Sequence, residues 1–292
     1  MSTYSMSQVE ILTGIKAHTI RIWERRYNFL TPMRTETNIR YYSDAQLRKL
    51  LNISILINNG IRISHVDNIS EKEMHELVEK ILAEPEDISD EISALVICMI
   101  DLNEKEFNSI YHRHINRKGL LLTVTELLYP FLAHVGVLWG VNKLIPAQEH
   151  FISNLIRQKI IAAIDMLPPP LENAPGIILF LLEGDDHEIG LLLASYIAHD
   201  LGFKTYYLGQ NVPSENILEV VGMTGAQYMF SMFVAPRPKK TDIFLQHIME
   251  ESSIPLFVSG TAGNFIKQYT SDKIVYIKNP SELISYLEPM VV

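Results

Sequence analysis

From Gly176 onward, five apolar runs, IILFLL, KTYYL, YMFSMFV, PLFVS and KIVYI, alternate with segments of helical character near 189–201, 214–222, 241–250, 263–269 and 281–287. Runs this continuously apolar predict strands covered on both faces, and strands alternating with helices predict a parallel sheet. The expected domain, residues 171–292, is a doubly wound, Rossmann-like α/β sandwich. Ligands bind such sheets beyond the carboxyl ends of the strands. The first run ends there in LLEGDDHEIG, which sets Asp185, Asp186 and His187 on the binding side.

The residues before that sheet follow a different period. Between 71 and 166 strand alternation is missing, and EKEMHELVEKILAE, DEISALVICMI, EKEFNSIYHRHI, LLTVTELLYPFLAHVGVLW and AQEHFISNLIRQKIIAAIDML carry helical spacing. They predict a bundle of four or five helices, closed by the stiff PPP at 168–170. Residues 6–66 predict shorter helices: SQVEILTGI, AHTIRIWERRY, and SDAQLRKLLNISILINNG with Ser43 as N-cap and Gly60 as stop. The irregular TPMRTETNIRYY between them makes a ribbon-like insertion. Three domains are expected, at 1–70, 71–170 and 171–292.

The net charge of −9 hides an asymmetry. Residues 1–66 hold nine basic against four acidic side chains, a balance of +5, so the remainder carries −14. A basic head on an acidic body suggests that only the head meets a polyanion. The single cysteine, Cys98, excludes an internal disulfide and a thiolate zinc site. No run approaches the roughly 18 apolar residues of a membrane span, and the first residues lack a signal-peptide layout. A cytoplasmic protein without a membrane partner is expected.

The stretch SQVEILTGIKAHTIRIWERRYNFLTPMRTETNIRYYS resembles the MerR family of winged helix-turn-helix regulators, with RIWERRY and R-x-Y-Y closest to its cobalamin-dependent, light-sensing branch. The residue pattern supports the resemblance. In AHTIRIWERRY, Ile20 and Trp23 share a buried face while His18, Arg21, Arg25 and Arg26 remain for a major groove. Arg34 and Arg40 bracket a wing that clamps phosphates, and Tyr41 and Tyr42 add hydroxyl contacts to the backbone of double-stranded operator DNA. The wing glycine common in the family is replaced here, with Asn38 next to the turn, and asparagine tolerates the left-handed backbone.

Asp185-x-His187-x-x-Gly190 resembles the cobalamin-binding motif in which histidine replaces the cofactor's own dimethylbenzimidazole as the lower cobalt ligand. Neutral imidazole suits a borderline transition metal. A carboxylate two residues earlier accepts the proton of the other ring nitrogen and fixes the tautomer. The resemblance implies that Gly190 lets the nucleotide tail pass the helix start. It further implies that Ser231, in Ser231-x-Phe233, meets the buried benzimidazole, and that Ser259 and Gly260 stand for the family's Gly-Gly beside the tail. Phe233 replaces the family's leucine and Ser259 its first glycine, which implies a tight or altered tail pocket.

In the light-sensing branch a bundle tryptophan shields the 5′-deoxyadenosyl group, and a Glu-His pair helps define its pocket; Trp139 and Glu149-His150 reproduce that spacing. The branch's best-understood members place a histidine after the tryptophan, which captures cobalt after photolysis. Here Gly140 follows Trp139, and His134 lies about 240° of helix rotation from that position. The expectation is a non-enzymatic regulator of the repressor type that binds adenosylcobalamin, with methylcobalamin as the alternative. It is expected to assemble as a dimer or tetramer and to sense light through the cofactor. The competing expectation is a cobalamin-responsive or cobalamin-independent regulator whose light switch is lost or altered at Gly140. An enzyme is disfavoured, because no substrate barrel accompanies the three domains.

Overall fold

Serine caps decide where the first helices begin. Ser5 and Ser43 each form a capping box, with Gln8 and Gln46 three residues on, and so open α1 (Met6–Thr13) and α3 (Asp44–Asn58). Gly14 ends α1 in the left-handed region at φ 69°, and α2 (Ala17–Arg26) follows. Gly60, at φ 82°, stands just past the end of α3, where the sequence places a stop. These features belong to a computed structural model that describes residues 3–27, 29–85, 87–139, 146–233, 241–260, 269 and 271–290, with backbone alone at 137–139 and 249.

A small antiparallel sheet completes the head, with β3 (Arg40–Ser43) between β1 (Thr3–Ser5) and β2 (Met33–Arg34). The β2–β3 ribbon is the expected wing. It turns through Asn38 at φ 64°, so asparagine does take the left-handed position.

Helices α4 (Ile63–Val66), α5 (Glu71–Ala83), α6 (Ile88–Asp101), α7 (Glu104–Leu122), α8 (Tyr129–Trp139) and α9 (Pro146–Asp165) form the middle of the chain. A π-helical turn at Thr123–Leu128 joins α7 to α8. Gly119, at φ 76° and ψ 175°, interrupts α7 ahead of that turn. The segment Glu104–Gly136 is long and apolar enough to cross a membrane by length and composition alone. Its Phe107, Ile110, Leu127, Leu128 and Phe131 are instead fully buried side chains of a helical core.

Packing divides the chain into two compact units, Met1–Leu155 and Ile156–Val292. The expected boundaries at 70/71 and 170/171 differ from this division. Head and bundle cohere because α3 lies on α6, where Asn59 Nδ2 and Asn58 Nδ2 donate to the buried carboxylate of Asp90 at 2.6 and 3.3 Å. Arg48 also pairs with Asp101. Burial raises the Asp90 pKa above the usual carboxylate range.

In the second unit, β4 (Gly176–Leu182), β5 (Lys204–Val212), β6 (Tyr228–Met232), β7 (Leu256–Ser259) and β8 (Ile274–Tyr276) form a parallel sheet in the order β5-β4-β6-β7-β8. All five lie on the expected apolar runs. Every residue of β4 is buried, as a central strand covered on both faces requires. Helices α10 (Glu188–Asp200), α11 (Ser214–Thr224), α12 (Thr241–Glu251) and α13 (Pro280–Leu287) match four of the expected helices. Most of the fifth, at 263–269, lies outside the described residues. The first strand has the second on one side and the third on the other. The chain's direction of winding therefore reverses beside β4, and the crevice beyond the ends of β4 and β6 is the ligand position of this topology.

Candidate functional site

The loop after β4 occupies that crevice. Asp185 is 1 % exposed, and its Oδ1 accepts from His187 Nδ1 at 2.8 Å and from the His187 backbone N–H at 3.0 Å. A carboxylate only accepts, so Nδ1 carries a hydrogen, and in the neutral form of the ring the lone pair falls on Nε2. The His187 side chain is half exposed and stands at the N-cap of α10, with Gly190 in that helix's first turn. The three motif residues are thus brought together. Among the described residues no group of three or more His, Cys, Asp or Glu gathers to hold a bare metal ion. One oriented imidazole suits a metal whose other positions are already filled by a macrocycle.

Residues that the sequence reading missed hold this loop in place. Asn211, itself left-handed at φ 56°, accepts from the Gly184 N–H at 2.9 Å and donates to Asp186 Oδ1 at 2.7 Å. Gln210 Nε2 donates to the Asp186 carbonyl at 2.8 Å. The polar GQN that follows the YYL run of β5 is the signal that could have revealed them. Glu188, buried and next in the chain to His187, accepts from Arg157 Nε of α9 and from the Tyr207 hydroxyl at 2.8 Å. Burial first, and then that hydrogen bond, raises the Tyr207 pKa; the same carboxylate raises that of Arg157.

Ser231 ends up on β6, beside Phe180 of β4, and is fully buried. Its hydroxyl is without a hydrogen-bond partner among the described residues. A buried orphan hydroxyl is costly unless something supplies a partner, and this one fits the place that the motif gives to the cofactor's tail. Ser259 donates its hydroxyl hydrogen to the Ile277 carbonyl at 2.8 Å. Gly260 lies where β6 and β7 end, at φ 108°. A Cβ on it would meet the Phe233 carbonyl oxygen at 2.4 Å. The expected upper-face residues belong to the first unit: Glu149 and His150 sit in the first turn of α9, with His150 Nδ1 2.9 Å from Glu149 Oε2. The Trp139 side chain and Gly140 lie outside the described residues.

The nucleic-acid candidates sort themselves by exposure. His18, Arg21, Arg25, Arg26 and Arg34 are exposed, while Ile20 and Trp23 are buried as expected. Arg34 Nη1 braces the wing turn through Asn38 Oδ1 at 2.6 Å. Two expectations change. Tyr42 is fully buried, with its hydroxyl donating to Glu24 at 2.5 Å, so it supports the sheet and does not reach a phosphate. Arg40 is half-buried and bound to the same carboxylate at 2.8 Å, which leaves Tyr41 as the accessible tyrosine of the pair. Arg21→Ala is expected to lower operator affinity by about 10- to 100-fold, the scale of one base-edge arginine, with cofactor binding unchanged. A fluorescence anisotropy titration measures it, and wild-type affinity would displace α2 from the reading role.

Comparison with known proteins bears on the head and on the helices that follow it. Residues 4–73 match the MerR HTH family regulatory protein model, and residues 91–163, spanning α6 to α9, match a B12 binding domain model. The HTH-type transcriptional repressor CarH of Myxococcus xanthus is 28% identical over 222 residues, covering 74% of this chain and 73% of that protein. The repressor CarA of the same organism is 26% identical over 299 residues, covering 97% and 96%. Among solved structures, the monomethylamine corrinoid protein of Methanosarcina barkeri shares the fold at 19% identity with a TM-score of 0.52. That alignment covers 66% of this chain and 95% of that one.

Proposed function

We propose that this chain, in which a MerR-type DNA-binding head is joined to a B12-binding region, is a cytoplasmic transcriptional repressor that binds adenosylcobalamin and releases its operator in response to light. The observation that carries the reading is the Asp185–His187 pair at the winding reversal of the sheet, which orients a single imidazole for a metal held in a macrocycle. Ser231 supports a buried tail beneath it. Glu149 and His150, within the matched helical segment, are assigned to the upper face together with Trp139. Methylcobalamin is the alternative form of the cofactor.

When bound, the cofactor supplies a chromophore and a light-sensitive cobalt–carbon bond. The protein's part would be to ligate it through His187, oriented by Asp185, and to shield it through Glu149, His150 and Trp139. If the free energy of assembly differs between cofactor states, linkage would carry that difference to dimer or tetramer formation and to operator binding.

Gly140, in place of a histidine, favours a second reading: cobalamin binding or independence without a light switch. One sample separates the two. Protein reconstituted with adenosylcobalamin in the dark is expected to show a bound, histidine-ligated spectrum that changes after green light, with operator release read in parallel. A bound spectrum with no effect of light on DNA binding would select the second reading, and no retained cofactor would sink the first.

A further inference from the structure

The carbonyls at the end of α1 lead into the turn that delivers α2, and two of them are held from outside the helix. The Thr13 carbonyl accepts from Ser54 Oγ of α3 at 2.7 Å, within the head. The Leu12 carbonyl accepts from His134 Nε2 of α8 at 3.0 Å, across to the bundle. A carbonyl only accepts, so Nε2 carries the hydrogen here. The last carbonyls of a helix lack partners within it and concentrate partial negative charge, so a donor at that point is favourable.

The bond lies beside a cavity of about 480 Å³ bounded by Gly14, Lys16 and Trp23 of the head and by Ile92 and Ser93 of α6. His134 is also five residues from the end of α8, about 7.5 Å along the axis from Trp139. A rotation or slide of α8 therefore moves the donor directly.

We propose that His134 is a positioning residue for operator reading: by holding the Leu12 carbonyl it sets the turn that aims α2. It also makes α8 the element through which the bundle's state reaches the DNA. The proposal rests on the DNA-reading half of the function above and does not require the cofactor.

The test uses full-length protein and a labelled duplex that the wild type selects from a randomised pool, titrated by fluorescence anisotropy over a series of salt concentrations. H134A is expected to bind about 5-fold more weakly, the scale of one lost hydrogen bond. H134Q, whose side-chain amide can donate to the same carbonyl, is expected to restore affinity to within about twofold. The slope of affinity against salt stays at the wild-type value, because no phosphate contact is removed. Wild-type affinity in H134A would overturn the proposal, as would an H134Q as weak as H134A, or a slope reduced by about one. If the wild type selects no duplex, the DNA-reading function itself fails, and that failure is recognised before any variant is made.

Discussion

His187→Ala is expected to lower affinity for adenosylcobalamin by more than about 100-fold and to abolish the histidine-ligated absorption spectrum. Loss of an outer partner of a ligating histidine costs about 10- to 100-fold in metal affinity, and removing the ligand itself costs at least as much. Asp185→Asn provides the internal scale. It keeps the shape but can donate to Nδ1, which favours the tautomer with its hydrogen on Nε2 and blocks the ligand lone pair. A loss smaller than that of His187→Ala is therefore expected, with the histidine-ligated form destabilised. Operator binding without cofactor should be unchanged in both variants, since the substitutions lie in the second unit and the residues proposed to read DNA in the first. Retention of wild-type affinity and spectrum by His187→Ala would remove this residue from the ligand role.

The parts of this molecule that rest on local pattern were legible in the sequence. Continuous apolar runs located all five strands of the parallel sheet, and the D-x-H-x-x-G spacing located a side-chain pair that the fold then oriented. What escaped depends on partners distant in the chain. Tyr42 looked like a phosphate contact because tyrosine has both an apolar body and a polar tip. Only the pairing of β3 with β1, which sets Tyr42 opposite the equally buried Tyr4, and the carboxylate of Glu24 decide that it faces inward. Strand β1 itself is three residues long, too short for any period to show. Gly119 was visible as a glycine, but its φ of 76° and the π-helical turn beyond it depend on how α7 and α8 are held. Thr123 accounts for part of that, donating to the Gly119 carbonyl at 2.7 Å and lying 3.1 Å from His114 Nδ1. The union of head and bundle follows from Asp90 meeting Asn58 and Asn59, a contact with no signature in either helix alone.

Gly260 has two explanations, and one substitution separates them. The motif assigns its missing side chain to the passage of a cofactor tail. The fold gives a reason that holds without any ligand: β6 and β7 end side by side, Phe233 N–H donates to the Ser259 carbonyl at 2.9 Å, and the Tyr276 hydroxyl donates to the Gly260 carbonyl at 3.0 Å. This pins Gly260 at φ 108°, where a side chain is strained whatever the space. A Cβ would also lie 2.4 Å from the Phe233 oxygen and 2.9 Å from its carbonyl carbon, and these are backbone atoms that cannot swing aside. Strained backbone and forced overpacking each cost about 1–3 kcal/mol, so Gly260→Ala is expected to destabilise the cofactor-free second unit by about 3 kcal/mol or more. That corresponds to a fall of roughly 10 °C in its Tm, measured by circular dichroism without cofactor. If the tail alone required glycine, the cofactor-free variant would melt with the wild type and lose only its affinity for cobalamin. Ser259→Gly completes the comparison: it removes the hydrogen bond to Ile277 and is expected to cost about 1 kcal/mol, because no atom has to move.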